Sequence, residues 1–294
     1  MWIMKKLFCL AGFIFVIEMM GANVTAQKYT AEEVRERHLA SIAIKEKLAA
    51  LKNILATGTV RYKVLRQGGV GADGRVALAS DSGKSLIAMN FPISTYPSDK
   101  FVFNGKKVKI DFAYNNVRSY LGNFLYGYDE IVSDGLLGGI LSVNWPLYQV
   151  ASENYKLDFE GKKTIEGREM LVLRYVRKGG SDLAIKLFFD PKTFAHLRTE
   201  YRRLVSSQIG SISGAQGAAA ADASSSVLES RQSLIEEFSD FKNVDGYNLP
   251  QRYRAYILLE GSQGTREYEW VASLSDFYVN QAIDASVFEI PSNQ

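Results

Sequence analysis

Two periodicities divide the chain. Near its start, Val34, His38, Leu39 and Ile42 recur at helical spacing within AEEVRERHLASIAIKEKLAALKNIL, and Leu48, Leu51 and Leu55 resume the repeat out of phase. The slip predicts two helical pieces bent near Ala43. Thr30, followed three residues on by Glu33, has the form of a capping box, in which each side chain satisfies the other's free backbone amide. From Thr57 onward the period falls to two. In TGTVRYKVL, Val60, Tyr62 and Val64 share one face, opposite Thr59, Arg61 and Lys63.

KFVFNGKKVKIDF contains Asn104-Gly105, the preferred pair for a two-residue type I′ hairpin because both positions take positive φ. Such a hairpin would set Phe101, Phe103, Val108, Ile110 and Phe112 on one buried face. Lys107, Lys109 and Asp111 would take the other, wet face. REMLVLRYVRK and DLAIKLFFD flank Gly179-Gly180, and AHLRTEYRRL, RQSLIEEFSDF, QRYRAYILLE and REYEWVASLSDFYV follow. With GRVALAS, SLIAMNF and YKLDFEG the count reaches roughly ten to twelve strands joined mostly as sequential hairpins. Sequential hairpins imply antiparallel order, since parallel pairs need long crossovers. The expected fold is α+β: a curled antiparallel sheet covered by a few helices.

The middle of the chain obeys neither period. VRSYLGNFLYGYDEIV (Val117 to Val132) is greasy, and DGLLGGILSVNWPLY carries no charge after Asp134 as far as Tyr148. Leu136, Leu137, Ile140 and Leu141 fit a one-sided helical stripe, interrupted by Gly135, Gly138 and Gly139 and stopped by Pro146 with Trp145 at its end. An interior glycine costs a helix about 0.5–1 kcal/mol relative to alanine. Three readings stay open: ordinary core, a cover that can loosen over something apolar, and a membrane span, which Asp129, Glu130 and Asp134 disfavour. A curled sheet either packs tightly around such a segment or keeps a cavity beneath it. On the lid side the candidate ligand-binding residues are Phe124, Leu136, Leu137, Ile140, Leu141 and Trp145. On the sheet side they are Phe101, Phe103, Val108, Ile110 and Phe112.

The first residues bear on compartment. Lys5 and Lys6 precede an apolar run from Leu7 to Ile17, and Val-Thr-Ala ends at Ala26. This is the pattern of a secretory signal peptide cleaved after Ala26. The run falls short of the about 20 residues a bilayer span needs; an uncleaved N-terminal anchor is the alternative. The sole cysteine, Cys9, lies inside it, so the mature chain would carry no thiol. Residues 27–294 read as one domain, interrupted at about 206–226 by SSQIGSISGAQGAAAADASSS, too poor in apolar surface to offset ordering entropy.

Chemistry is scarce. A net charge of +3, with basic residues scattered along strands, argues against nucleic acid. Gly69, Gly71 and Gly74 spell G-x-G-x-x-G, but RVALAS follows as a strand where a dinucleotide site needs a helix. His38 and His196 read as isolated, with no carboxylate at ligand spacing, and so not as a metal site. No G-x-S-x-G elbow occurs. Glu236-Glu237 and Asp129-Glu130 read as solvated surface. The expectation is no enzyme, no metal and no cofactor.

Three stretches bear a resemblance: EEVRERHLASIA…KLAALKNILATGTVRY, DGLLGGILSVNWPL, and FSDFKNVDGYNLPQRY with the closing DASVFEIP. In these the chain resembles the LolA/LolB-like superfamily of periplasmic, outer-membrane lipoprotein-sorting proteins. The Asp245-Gly246…Leu249-Pro250 turn and Phe288 to Pro291 are the more specific parts. Ile42-Ala43 stands where members often have Gly-Gly. The resemblance implies a half-barrel around a helical lid, a cavity for acyl chains, and a periplasmic carrier of lipoprotein or another lipid. It implies no cofactor. Its partners would be that ligand and, transiently, membrane components, with the chain a monomer. The alternative is a periplasmic sensor or scaffold binding a protein partner through the same fold.

Overall fold

The computed structural model describes residues 29–66, 69–148, 154–205, 230–261 and 264–290. The expected signal peptide and the 206–226 excursion lie outside them. The N-terminal helical repeat forms α1 (Ala31–Ile42) and α2 (Lys45–Ala49), with the chain extended at Ala43 between them, where the phase slips. The capping box is present: Thr30 Oγ1 accepts from the Glu33 amide at 3.1 Å, and Glu33 Oε2 from the Thr30 amide at 2.8 Å.

Twelve strands make one sheet. β1 (Asn53–Val64), β2 (Gly71–Asp81), β3 (Lys84–Asn90), β4 (Ser98–Phe103) and β5 (Val108–Ile110) step outward as successive hairpins. After a long connection containing α3 (Tyr120–Gly127) and α4 (Glu130–Ser133), the chain re-enters at the far edge as β6 (Tyr155–Ile165). It returns inward through β7 (Arg168–Arg177), β8 (Leu183–Phe189), β9 (His196–Val205), β10 (Ser230–Val244), β11 (Tyr247–Gly261) and β12 (Gly264–Val279). β12 then pairs with β1. The first and last strands therefore meet mid-sheet, and β5 and β6 are the two free edges. This is the antiparallel sheet with few helices that the hairpin pattern predicts, and it is curled and unclosed, as the resemblance implies.

Alternation sorts the faces. Along β10, Leu234, Glu236 and Phe238 point into the concave core, while Glu237 joins a paired ladder on the convex side. There Arg254 reaches both Glu237 on β10 and Glu269 on β12, and Arg198 on β9 reaches Glu237 and Glu200. Opposite charges on neighbouring strands contribute roughly 0.2–1 kcal/mol per pair.

The Asn104-Gly105 hairpin differs from expectation. Phe103 pairs with Val108, so the loop has four residues, and Asn104 Oδ1 accepts the amides of Lys106 and Lys107 at 3.0 and 2.9 Å. Of the pair, Gly105 alone has positive φ, at 87°. The register moves by two residues, which preserves the faces because side chains alternate with period two. Nor is the second face wholly wet. Val102 is buried there with Ala79, Leu86 and Phe288, the last carried by the 3₁₀ turn Ala285–Phe288.

The central seam tolerates no added bulk at Gly58. A bulge shifts the β1–β12 register there, and a Cβ on Gly58 would stand 2.0 Å from the Ser273 carbonyl oxygen. Gly58→Ala is expected to destabilise the fold by about 2–3 kcal/mol, seen as a lower urea midpoint. Gly127→Ala, with open space around the new methyl, should leave the midpoint almost unchanged.

Candidate functional site

β5 and β6 lie at opposite edges, so the chain between them has to cross the concave face. It does so from Asp111 to Tyr148, and it fills the face. Leu136, Ile140, Leu141 and Trp145 are at most 1% exposed, and Phe124 and Leu137 are buried with them. Phe101 and Ile110 belong to the same core, and Phe103 and Val108 are half-buried at its rim. Phe112 does not join them. It follows the end of β5, is 49% exposed, and lies under the Arg118 guanidinium.

The crossing segment is not the one-sided helix its leucine spacing suggests. After α4 the backbone turns through Gly135, Gly138 and Gly139, all at positive φ, and forms only 3₁₀ turns at Gly139–Leu141 and Pro146–Tyr148. Leu136, Leu137, Ile140 and Leu141 are buried on every side, and Pro146 opens a turn instead of ending a helix. Two glycines are required by space as well as by φ. A Cβ on Gly135 would meet the Asn144 carbonyl oxygen at 2.1 Å, and one on Gly139 the Phe238 ring at 2.9 Å. Alanine there would strain the segment, not settle it.

Polar ties that each involve a side chain bind the segment to its surroundings, among them Arg177 on β7 to Asp134 at 2.9 Å and the Tyr155 hydroxyl on β6 to the Pro146 carbonyl at 2.6 Å. Glu236, read from sequence as solvated, is fully buried. Its carboxylate accepts three hydrogen bonds at 2.7 Å: from the Gly138 amide, the Tyr201 hydroxyl on β9 and the Tyr253 hydroxyl on β11. Burial raises its pKa, and the three donors oppose that rise. The Val143 amide donates to Ser80 Oγ at 2.9 Å, and Arg35 Nε of α1 donates to the Leu147 carbonyl at 3.0 Å.

Trp145 is the second anchor. Its indole N–H donates to His38 Nε2 at 3.2 Å, and His38 Nδ1 lies 3.0 Å from the Phe194 carbonyl. An indole can only donate, so Nε2 is the bare nitrogen and Nδ1 carries the proton. Trp145 also stacks on His196, centroids 4.8 Å apart. The two histidines, far apart in sequence, are thus neighbours with ring centroids 6.0 Å apart. Burial lowers the His38 pKa to about 4 and holds His196 well below its usual range. Among the described residues no group of three or more His, Cys, Asp or Glu could hold a metal ion.

Among the described residues, voids of about 10 Å³ each lie beneath the segment, one beside Leu137 and Gly138 against β2 and β3, another between Leu121, Leu137 and strands β1, β11 and β12. Each suffices for at most a water molecule. Glu236, Tyr201, Tyr253 and His196 were not legible as site residues. Their one available signal is a carboxylate between Leu234 and Phe238 at an inward position of β10.

The fold and site define a curled, open antiparallel half-barrel whose concave face is plugged by its own edge-to-edge connection. No protein-family model matches the chain, and no curated protein matches it. Among solved structures it is similar to a LolA superfamily protein from Nitrosomonas europaea, at 14% identity and a TM-score of 0.45, covering 90% of this chain and 99% of that one. An outer membrane lipoprotein-sorting protein domain from Vibrio parahaemolyticus shows 14% identity and a TM-score of 0.41, over 87% of this chain and 94% of that one. The MucA/MucB complex structure of Pseudomonas aeruginosa shows 11% identity and a TM-score of 0.22, over 85% of this chain and 100% of that one. Among the described residues no helix is long and apolar enough to cross a membrane.

Two substitutions test the anchors. Gly139→Ala is expected to cost about 1–2 kcal/mol from its left-handed φ alone, measured by urea unfolding. His38 is held below its ordinary 6.5, at about 4, so its contribution to stability is complete above 6.5 and is lost as pH falls toward 4. Relative to His38→Gln, the native protein should lose up to about 1.4 kcal/mol per pH unit across that window, read from unfolding curves at a series of pH values.

Proposed function

We propose that this protein is a non-enzymatic periplasmic carrier that holds acyl chains of a lipoprotein or another lipid against the concave face. The ligand would occupy the space that the crossing segment gives up. One observation carries the reading: from Ser119 to Tyr148 the segment covers an apolar sheet face without a backbone–backbone hydrogen bond to it. Among the described residues, the backbone–backbone bonds of this stretch outside its helices all close within the segment. Its hold on the sheet is therefore side-chain packing plus polar ties that each involve a side chain, the Glu236 latch among them. Its irregular, glycine-turned backbone need not unfold as a helix to shift.

The energetics allow exchange. Beneath the segment the sheet presents Val60, Val76, Ile87, Phe101, Ala255 and Ala272, all buried. An acyl chain replacing the segment's leucines would restore burial at about 0.8 kcal/mol per methylene. Segment and ligand compete for one apolar surface, so exchange costs far less than opening an empty cavity. The N-terminal Lys5–Ala26 pattern supports export, and the three resembling stretches support the carrier role.

Native mass spectrometry of the mature protein should find bound lipid, and the delipidated protein should take up a fluorescent fatty-acyl probe. Glu236→Gln keeps an acceptor for the Gly138 amide but removes the charge that strengthens the latch, by about 1 kcal/mol. Uptake should become several-fold faster. Absence of bound lipid, together with no probe uptake by either protein, overturns the carrier reading.

A further inference from the structure

A second concavity opens at the rim of the plugged face, and its walls are aromatic. A cleft of about 290 Å³ opens where β1 and β12 meet the turn before β4 and the stretch leading into α3. Tyr62, Tyr96, Tyr114, Tyr120, Tyr268 and Trp270 line it. The Tyr62 ring lies 4.7 Å from Tyr96, 5.5 Å from Trp270 and 6.5 Å from Tyr268, to which it is parallel within 5°. Tyr120 stacks on Tyr268 at 4.4 Å. The outer wall is a two-residue turn at Asn115-Asn116, both at positive φ, closed by Tyr114 and Val117.

Behind this wall sits Asp99, 1% exposed. Its Oδ2 accepts from the hydroxyls of Tyr96 and Ser119, both of which line the cleft, and Trp270 Nε1 donates to the Tyr96 hydroxyl at 2.8 Å. Its Oδ1 is buried without a hydrogen-bond partner, and among the described residues no cation pairs with it. Two guanidiniums border the cleft, each already held by aromatic rings or hydroxyls. Arg118, one of its lining residues, lies between the Phe112 and Tyr126 rings, at 4.4 and 3.8 Å from their centroids, and Arg266 donates to the hydroxyl of the wall residue Tyr120.

We propose that this cleft binds an alkylammonium group, either a small free amine or the cationic end of a lipid headgroup. Electron-rich ring faces attract a cation whose own hydration shell is weak. A buried carboxylate with no ion-pair partner among the described residues supplies the charge that such a ligand would neutralise. Burial lifts the Asp99 carboxyl to about 7, and a cation in the cleft would return it to the ionised form. A purely apolar ligand would gain from the rings but nothing from Asp99, so charge is the discriminating property. The cleft sits at the rim of the plugged face, sharing Trp270 and the start of the crossing segment with it, and an acyl-free cation reads its occupancy apart from acyl uptake.

Isothermal titration calorimetry of the delipidated mature protein provides the test, using choline, its neutral isostere 3,3-dimethylbutanol, and glycerophosphocholine, a headgroup without acyl chains. Choline or glycerophosphocholine is expected to bind at least about tenfold more tightly than the neutral isostere. Tighter binding of glycerophosphocholine identifies a headgroup as the source, and equal or tighter binding of choline identifies the free amine. Asp99→Asn, which preserves shape, and Tyr268→Leu, which preserves apolar bulk, should each weaken binding about tenfold. Should Asp99→Asn fail to fold, Tyr268→Leu and the isostere comparison still decide. Equal affinity for the neutral isostere, no heat from either cation, or unchanged affinity in a folded variant overturns the proposal.

Discussion

The pairing of β1 with β12 governs everything else in this molecule. Joining the two ends of the sheet-forming chain mid-sheet sends both edges outward and leaves one connection, from β5 to β6, to travel between them. A route over the convex side would expose its leucines to water. The concave route buries them and supplies the sheet with a core that no second sheet provides. The crossing segment is therefore at once a linker, a core and the cover of the concave face. Those roles conflict, and the sequence 134–148 bears the marks: apolar side chains for packing, left-handed glycines for close approach, and almost no regular structure.

Polar groups do the locating that apolar packing cannot. Leucines against a greasy face can slide, whereas the Glu236 carboxylate accepts from one amide and two hydroxyls of fixed direction, and Trp145 reaches a single nitrogen of His38. Leaving such donors unpaired in the core would cost about 1–3 kcal/mol each. The segment therefore has one well-defined resting place, and any departure has to replace these bonds with water or ligand.

Strands were legible in the sequence because a half-wet sheet imposes strict alternation, as in Val60, Tyr62 and Val64 against Arg61 and Lys63. The bent N-terminal helices were legible because a phase slip and a capping box are local. The crossing segment misled for a physical reason: Leu136, Leu137, Ile140 and Leu141 satisfy helical spacing, and spacing alone does not reveal that the glycines between them adopt positive φ. Glu236 was hidden because its partners, Tyr201 and Tyr253, arrive from strands on either side. The aromatic cleft was hidden more deeply, since Tyr62 and Tyr268 meet only through the β1–β12 seam.

An unclosed barrel must also guard two free edges against other chains. β5 does so by brevity, with only three residues to offer. β6 is eleven residues long and uses other means. A bulge between Phe159 and Gly161 breaks its ladder, and Lys156, Lys162 and Lys163 place charge along it. Such features deter edge-to-edge addition of strands. The open edge of the sheet is thereby deterred from seeding fibres, and the lysines of β6 serve solubility at the place where closure would otherwise have provided it.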